Sequence, residues 1–136
     1  MLVTVLHRAA GTPAAAAPAP FTDVAAGAWY AEAVAWAYEN GIVNGVSADR
    51  FAPDALITRE QLVAILFRYA GDDGQRAPLA VFPDAPEISA YARDAMSWAV
   101  AHGLINGIDR GGSVTLSPRG GAARAQVAAI LMRFLR

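Results

Sequence analysis

Two arginines define the chemistry this chain can attempt. Arg59 and Arg124 each stand in the first turn of an expected helix, where the macrodipole disfavours a cation by about 0.3–1 kcal/mol. A cation in that place is either solvated or bridged to an acid such as Glu60, or it grips an anion. A guanidinium beside unpaired helix amides can hold a carboxylate by bidentate, charge-assisted hydrogen bonds. Asp23 and Asp84 both occur in F-x-D. They read as caps of a turn or helix start, or as acceptors for sugar hydroxyls. Trp29 and Tyr91 lead into amphipathic segments. They are either core residues or flat platforms for the apolar face of a sugar. Asn44-Gly45 and Asn106-Gly107 end paired-glycine turns. Those turns supply positive φ, or they wall a groove with backbone amides. Thr58 heads the T-x-x-Q of a capping box, in which its hydroxyl and the Gln61 side chain satisfy each other's backbone amides. It completes the set of candidate ligand-contacting residues.

The composition narrows the alternatives. Of 136 residues 55 % are hydrophobic, 32 of them alanine, and the formal charge is −1. A nucleic-acid binder needs clustered cations, and none is expected here. A disordered acidic chain needs low hydrophobicity and high net charge, which is also excluded. There is no cysteine, so no disulfide framework, thiolate zinc site or cysteine nucleophile is available,. The two histidines, His7 and His102, are far apart in sequence and offer little to a metal site or general-base triad,. All eleven cations are arginine, which reads as codon bias together with a demand for guanidinium at some positions. Asp72-Asp73-Gly74 lacks the spaced ligands and terminal Glu of a calcium loop,. No G-x-S-x-G, P-loop or G-x-G-x-x-G occurs. The expectation is a non-enzymatic protein without metal or cofactor. No apolar run approaches the roughly 20 residues of a membrane span, so no membrane insertion is expected. Met1–Leu6 is a short apolar stretch closed by His7 and Arg8, and it reads as part of a helix rather than a secretion signal,.

The elements that must position these residues come from an internal repeat. Trp36-Ala-Tyr-Glu-Asn-Gly41-Ile-Val-Asn44-Gly45 aligns with Trp98-Ala-Val-Ala-His-Gly103-Leu-Ile-Asn106-Gly107, and Phe51-Ala-Pro53 with Leu116-Ser-Pro118. Arg59–Arg68 aligns with Arg124–Arg133, and Leu2–Gly11 with Leu62–Gly71. The chain thus opens in the last helix of an earlier repeat, 1–11. An Ala/Pro linker at 12–20, a repeat at 21–71, a linker at 72–81 and a repeat at 82–136 follow. Each full repeat reads as two helices: Trp29–Glu39 and Tyr91–Ala101, ended by Gly41 and Gly103, then Thr58–Tyr69 and its copy. Apolar stripes at i, i+3, i+4, i+7 recur as Leu62, Ile65, Leu66, Tyr69, as Val127, Ile130, Leu131, Phe134, and as Leu2, Val5, Leu6, Ala9,. The expected fold is all-α, with helix-loop-helix repeats around a pseudo-threefold three-helix bundle. Gly45–Ile57 and Gly107–Ala122 are expected as turn regions.

In order and spacing these motifs resemble the S-layer homology family. The carriers are F-x-D at Phe21–Asp23 and Phe82–Asp84, W-x-x-x-A-x-x-W-A at Trp29–Ala37, and G-I-V-x-G at Gly41–Gly45. F-x-P at Phe51–Pro53 and I-T-R-E-Q at Ile57–Gln61 complete the set. Glu60 and Gln61 stand where the family most often has Ala and Glu, and Ala123 replaces the second Thr. The resemblance implies a bacterial cell-surface module that binds secondary cell-wall polysaccharide non-covalently, often through a pyruvylated sugar. It also implies that Arg59 and Arg124 hold the ligand-contacting place of the family's T-R-A-E. The expected partner is therefore an acidic, pyruvylated wall polysaccharide. The alternative is a helical protein-interaction or self-assembly module, with self-association through a face left uncovered by the incomplete first repeat.

Overall fold

The computed structural model describes residues 2–45, 49–51, 57–105, 107–110, 113–122 and 124–135. Among these residues the chain forms five α-helices: α1 (Leu2–Ala9), α2 (Ala31–Glu39), α3 (Arg59–Ala70), α4 (Arg93–Ala101) and α5 (Arg124–Phe134). None is long and apolar enough to cross a membrane. The fold is all-α, as expected, with one addition. Strands β1 (Ile108–Arg110) and β2 (Ser113–Thr115) pair antiparallel, Ile108 opposite Thr115 and Arg110 opposite Ser113. Both strands lie inside Gly107–Ala122, which the sequence reading expects as a turn region without strands.

The chain divides into two compact units, Met1–Ala55 and Leu56–Arg136. The packed pair in the first unit is α1 with α2, and in the second α3 with α4. Each pair joins the last helix of one sequence repeat to the first helix of the next. The pairs are equivalent in detail. The ring of His7 lies 5.2 Å from Trp36 in the first, and Phe67, its aligned counterpart, lies 5.4 Å from Trp98 in the second. Both tryptophans are buried core, as their spacing predicts. The second unit also places Phe134 of α5 against Tyr69 and Trp98.

Local signals end the helices where the sequence says. Gly41 at φ 72 and Gly103 at φ 70 terminate α2 and α4. The next amides, of Ile42 and Leu104, reach back to Ala37 O and Ala99 O at 2.9 Å each, the bond pattern of a left-handed cap,. The starts differ by two residues. Trp29 and Tyr30 precede α2, and a 3-10 turn at Ala90–Ala92 precedes α4. The buried faces are also rotated from the expected stripes. Val3 and His7 are buried in α1 where Val5 and Ala9 were expected, and Val63 in α3 where Ile65 was. The partner helix packs on that rotated face, and periodicity alone does not say where a partner lies.

At the head of α3 the capping box is complete. Thr58 Oγ1 accepts from Gln61 N at 3.2 Å, and Gln61 Oε1 accepts from Thr58 N at 2.9 Å. Thr58→Ala removes one of these acceptors and is expected to cost about 1 kcal/mol, read as a lower urea midpoint with unchanged slope.

Candidate functional site

The start of α3 is built into the second unit and does not face solvent. Arg59 is only 6 % exposed and Glu60 only 5 %. The Arg59 backbone amide donates to Gly120 O at 3.0 Å, and its Nε donates to Leu116 O at 2.9 Å. Burial pushes its guanidinium below the ordinary arginine range, and the carboxylate of Asp84 pushes back,. Asp84 in turn accepts from Leu116 N at 3.0 Å and Ser117 N at 2.7 Å. Glu60 does not bridge Arg59. Its two oxygens accept from Ser89 N at 2.9 Å and Ser89 Oγ at 2.7 Å. Arg59 is thus neither solvated nor paired with its neighbour. It latches the head of α3 to the loop at 116–120.

The first unit has a matching tether. Asp23 Oδ1 accepts from Phe51 N at 2.9 Å, and Phe51 aligns with Leu116. In both units the F-x-D carboxylate therefore holds the loop that follows the paired glycines, a long-range tether that neither sequence reading names; the Asp84 side chain does not cap the 3-10 turn that follows it. The phenylalanine of each motif is buried beside the second glycine of each pair. A Cβ on Gly45 would collide with Phe21 Cε1, and one on Gly107 would strike Val114 Cγ1 and lie 3.3 Å from Phe82 Cε1. These glycines allow a close approach of ring to backbone. Asn44 is exposed. Asn106 lies outside the described residues, as does the side chain of Arg124, which opens α5.

The two predicted aromatic residues also face solvent. Trp29 is 71 % exposed and Tyr91 53 %. Trp29 stands over a cleft of about 280 Å³ lined also by Thr4, His7, Arg8, Thr12, Glu32 and Ala33. His7 is buried, with Nε2 2.8 Å from Pro13 O. A carbonyl only accepts, so Nε2 carries the proton. In the second unit burial and the charge of Glu60 push the Tyr91 phenol up, while Arg68 pulls it down. A second cleft, of about 240 Å³, is lined by Asp84, Glu87, Thr115, Ser117, Arg119 and their neighbours. Arg8, Glu32 and Arg119 carry no motif signal, and their placement beside the candidates comes from packing alone.

Arg76 is paired at the surface of the second unit. Its Nη1 and Nη2 donate to the two oxygens of Asp72 at 2.9 Å each. Its Nε lies 3.8 Å from Asp94, and its Cζ 5.4 Å from the centre of the Phe67 ring. The pairing draws the Asp72 carboxyl down to about 2. A depressed carboxyl keeps its pairing at and above the ordinary carboxylate range, about 3.9, and loses it as pH falls through the folded value. Asp72 therefore carries its charge, and can pair with Arg76, from about pH 4 upward,.

The S-layer homology domain model matches residues 20–63 and 81–128. The chain is 37 % identical over 113 residues to the Surface-layer 125 kDa protein of Lysinibacillus sphaericus, which covers 83 % of this chain and 10 % of that protein. It is 34 % identical over 119 residues to an amylopullulanase of Thermoanaerobacterium thermosulfurigenes and to exoglucanase XynX of Acetivibrio thermocellus. Those matches cover 85 % of this chain and 6 % and 11 % of the two relatives. The chain spans about a tenth or less of the length of these relatives.

Proposed function

The chain belongs to the S-layer homology domain family, a cell-surface anchoring module, and from that premise we propose that it anchors by binding an acidic wall polysaccharide through a carboxylated, pyruvylated sugar. The observation that carries this reading is the pair of exposed aromatics. Trp29 and Tyr91 occupy equivalent places ahead of α2 and α4 and lie open to solvent, whereas Trp36 and Trp98 seven residues on are buried. An indole or phenol ring left exposed at a repeated position, beside charged groups, suits the apolar face of a pyranose. Two relatives are named as glycan-degrading enzymes, yet this chain matches only 6 % and 11 % of them. We assign no catalysis to it.

Arg59 serves this function indirectly. Its Nε bond and its burial hold the loop that lines the 240 Å³ cleft, so it shapes the surface a glycan meets. The test is co-sedimentation with purified wall polysaccharide, native and after removal of its pyruvyl groups. Native polymer is expected to retain the chain, and depyruvylated polymer to retain it at least tenfold less well. Equal retention by the two polymers would sink the carboxylate reading, and no retention by either would sink the anchor.

A further inference from the structure

Asparagine followed by glycine occurs at Asn40-Gly41, Asn44-Gly45 and Asn106-Gly107. This dipeptide can modify itself. The glycine nitrogen attacks the asparagine Cγ, and the new C–N bond closes a succinimide ring. The side-chain nitrogen leaves as ammonia, carrying the proton that the glycine amide gave up. Water then opens the ring at one carbonyl or the other, leaving aspartate or its isomer isoaspartate, in which the main chain runs through the former side chain. Glycine favours the attack because no Cβ crowds its nitrogen. The step needs two freedoms. The carboxamide must swing over its own main chain, and the following amide must not be engaged as a hydrogen-bond donor.

The fold gives those freedoms to one pair and withholds them from another. Asn40 and Gly41 end α2, and both reacting groups are engaged. Asn40 Nδ2 donates to Trp36 O at 2.8 Å, and the Gly41 amide donates to Tyr38 O at 3.1 Å. Attack there requires both bonds to break. Asn44 and Gly45 lie just beyond the buried Ile42 and Val43, and both are exposed. Among the described residues, neither the Asn44 carboxamide nor the Gly45 amide has a hydrogen-bond partner. Asn40 is exposed as well, so access to water does not separate the two pairs. The hydrogen bonds do.

We propose that Asn44 is a site of spontaneous deamidation in the folded chain, with Gly45 N as the attacking group, and that the cap of α2 protects Asn40 from the same reaction. This goes beyond the anchor reading and does not rest on it. The product bears on the fold. Gly45 backs onto the Phe21 ring and Arg50 O, the neighbours that a Cβ there would strike. Isoaspartate adds one methylene to the main chain immediately before Gly45, which displaces it from that seat. The same event adds one negative charge to a formal net charge of −1.

The experiment is ageing of the intact chain in mildly alkaline buffer, followed by peptide mapping by mass spectrometry with enzymatic methylation of isoaspartate. Aspartate and isoaspartate are expected to accumulate at position 44 about tenfold or more faster than at position 40, because two hydrogen bonds must break before Asn40 reacts. In concentrated urea the cap of α2 is gone, and the two rates are expected to come together. Equal rates at the two positions in the folded chain would overturn the proposal. So would a ratio that urea leaves unchanged, since local sequence and not the fold would then set it. No modification at 44 in the folded chain, over a period in which the unfolded chain reacts, would overturn it too. The structural consequence has its own control. Asn44→Asp carries the added charge without the longer main chain. The isoaspartate form, separated by anion exchange, is expected to unfold at a lower urea concentration than Asn44→Asp. Equal midpoints would show that the seat of Gly45 against Phe21 survives the change, and would overturn that part.

Discussion

Asp84→Ala is expected to lower the unfolding free energy by about 3–5 kcal/mol, a large part of the 5–15 kcal/mol that a small protein has. The carboxylate accepts two backbone amides, Leu116 N at 3.0 Å and Ser117 N at 2.7 Å. Hydrogen bonds to a charged acceptor contribute about 1.5–3 kcal/mol each. Asp84 is also the charge that offsets the burial of Arg59, which keeps its proton despite 6 % exposure. Removing it takes away the charge that opposes the desolvation of Arg59, which adds to the loss although the two side chains are not in ion-pair contact,. Urea denaturation checks the value. A loss below 1 kcal/mol would mean that the loop at 116–120 is held by something else. A double-mutant cycle with Arg59→Met sharpens the test. Once Asp84 is gone, a neutral, similarly sized side chain at 59 should recover part of the loss, because the buried charge goes with its partner.

Gly45→Ala is the second large effect, at about 2–4 kcal/mol. Gly45 sits at φ 80, where an L-residue pays about 1–2 kcal/mol. The added methyl would also collide with Phe21 Cε1 and lie 2.6 Å from Arg50 O, and overpacking of this kind costs about 1–3 kcal/mol. Phe21 cannot retreat easily, because it is buried against Tyr38 and Phe51 at ring distances of 5.4 and 5.5 Å. Gly41→Ala is the control. Its φ of 72 carries the same backbone strain, but nothing lies within 4 Å of its would-be Cβ. Its expected cost is about 1–2 kcal/mol. Equal losses at the two positions would show that the approach of the Phe21 ring contributes nothing.

The two effects share one logic. In each unit an F-x-D phenylalanine packs on the second of the paired glycines, and its aspartate ties the loop beyond them. Residues that sequence reading nominated as sugar contacts, namely Asp23, Asp84, Gly45, Gly107 and Arg59, are thereby employed in holding shape. The exposed candidates include Trp29, Tyr91 and Asn44, with Arg8 brought beside Trp29 by the packing of α1 on α2.

What the sequence determined by itself is whatever a few neighbouring residues decide. The glycine ends of α2 and α4 and the capping box at Thr58 rest on spacings of a few residues, the repeat that pairs Trp36 with Trp98 is a match of residue types along the chain, and all were readable. The pairing of β1 with β2 departs from the turn region expected at 107–122. Only the tertiary structure decided which face of each helix is buried, whether Trp29 is core or platform, and where Arg59 points. Those outcomes depend on contacts between segments about 30 to 57 residues apart: Glu60 with Ser89, Asp84 with Leu116, Arg59 with Leu116. The physical reason lies in the range of the forces. Capping and turn geometry are satisfied within one turn of chain, whereas desolvation and ion pairing depend on every group that folding brings near. The same arginine at the head of a helix is an anion grip in one surrounding and a buried latch in another.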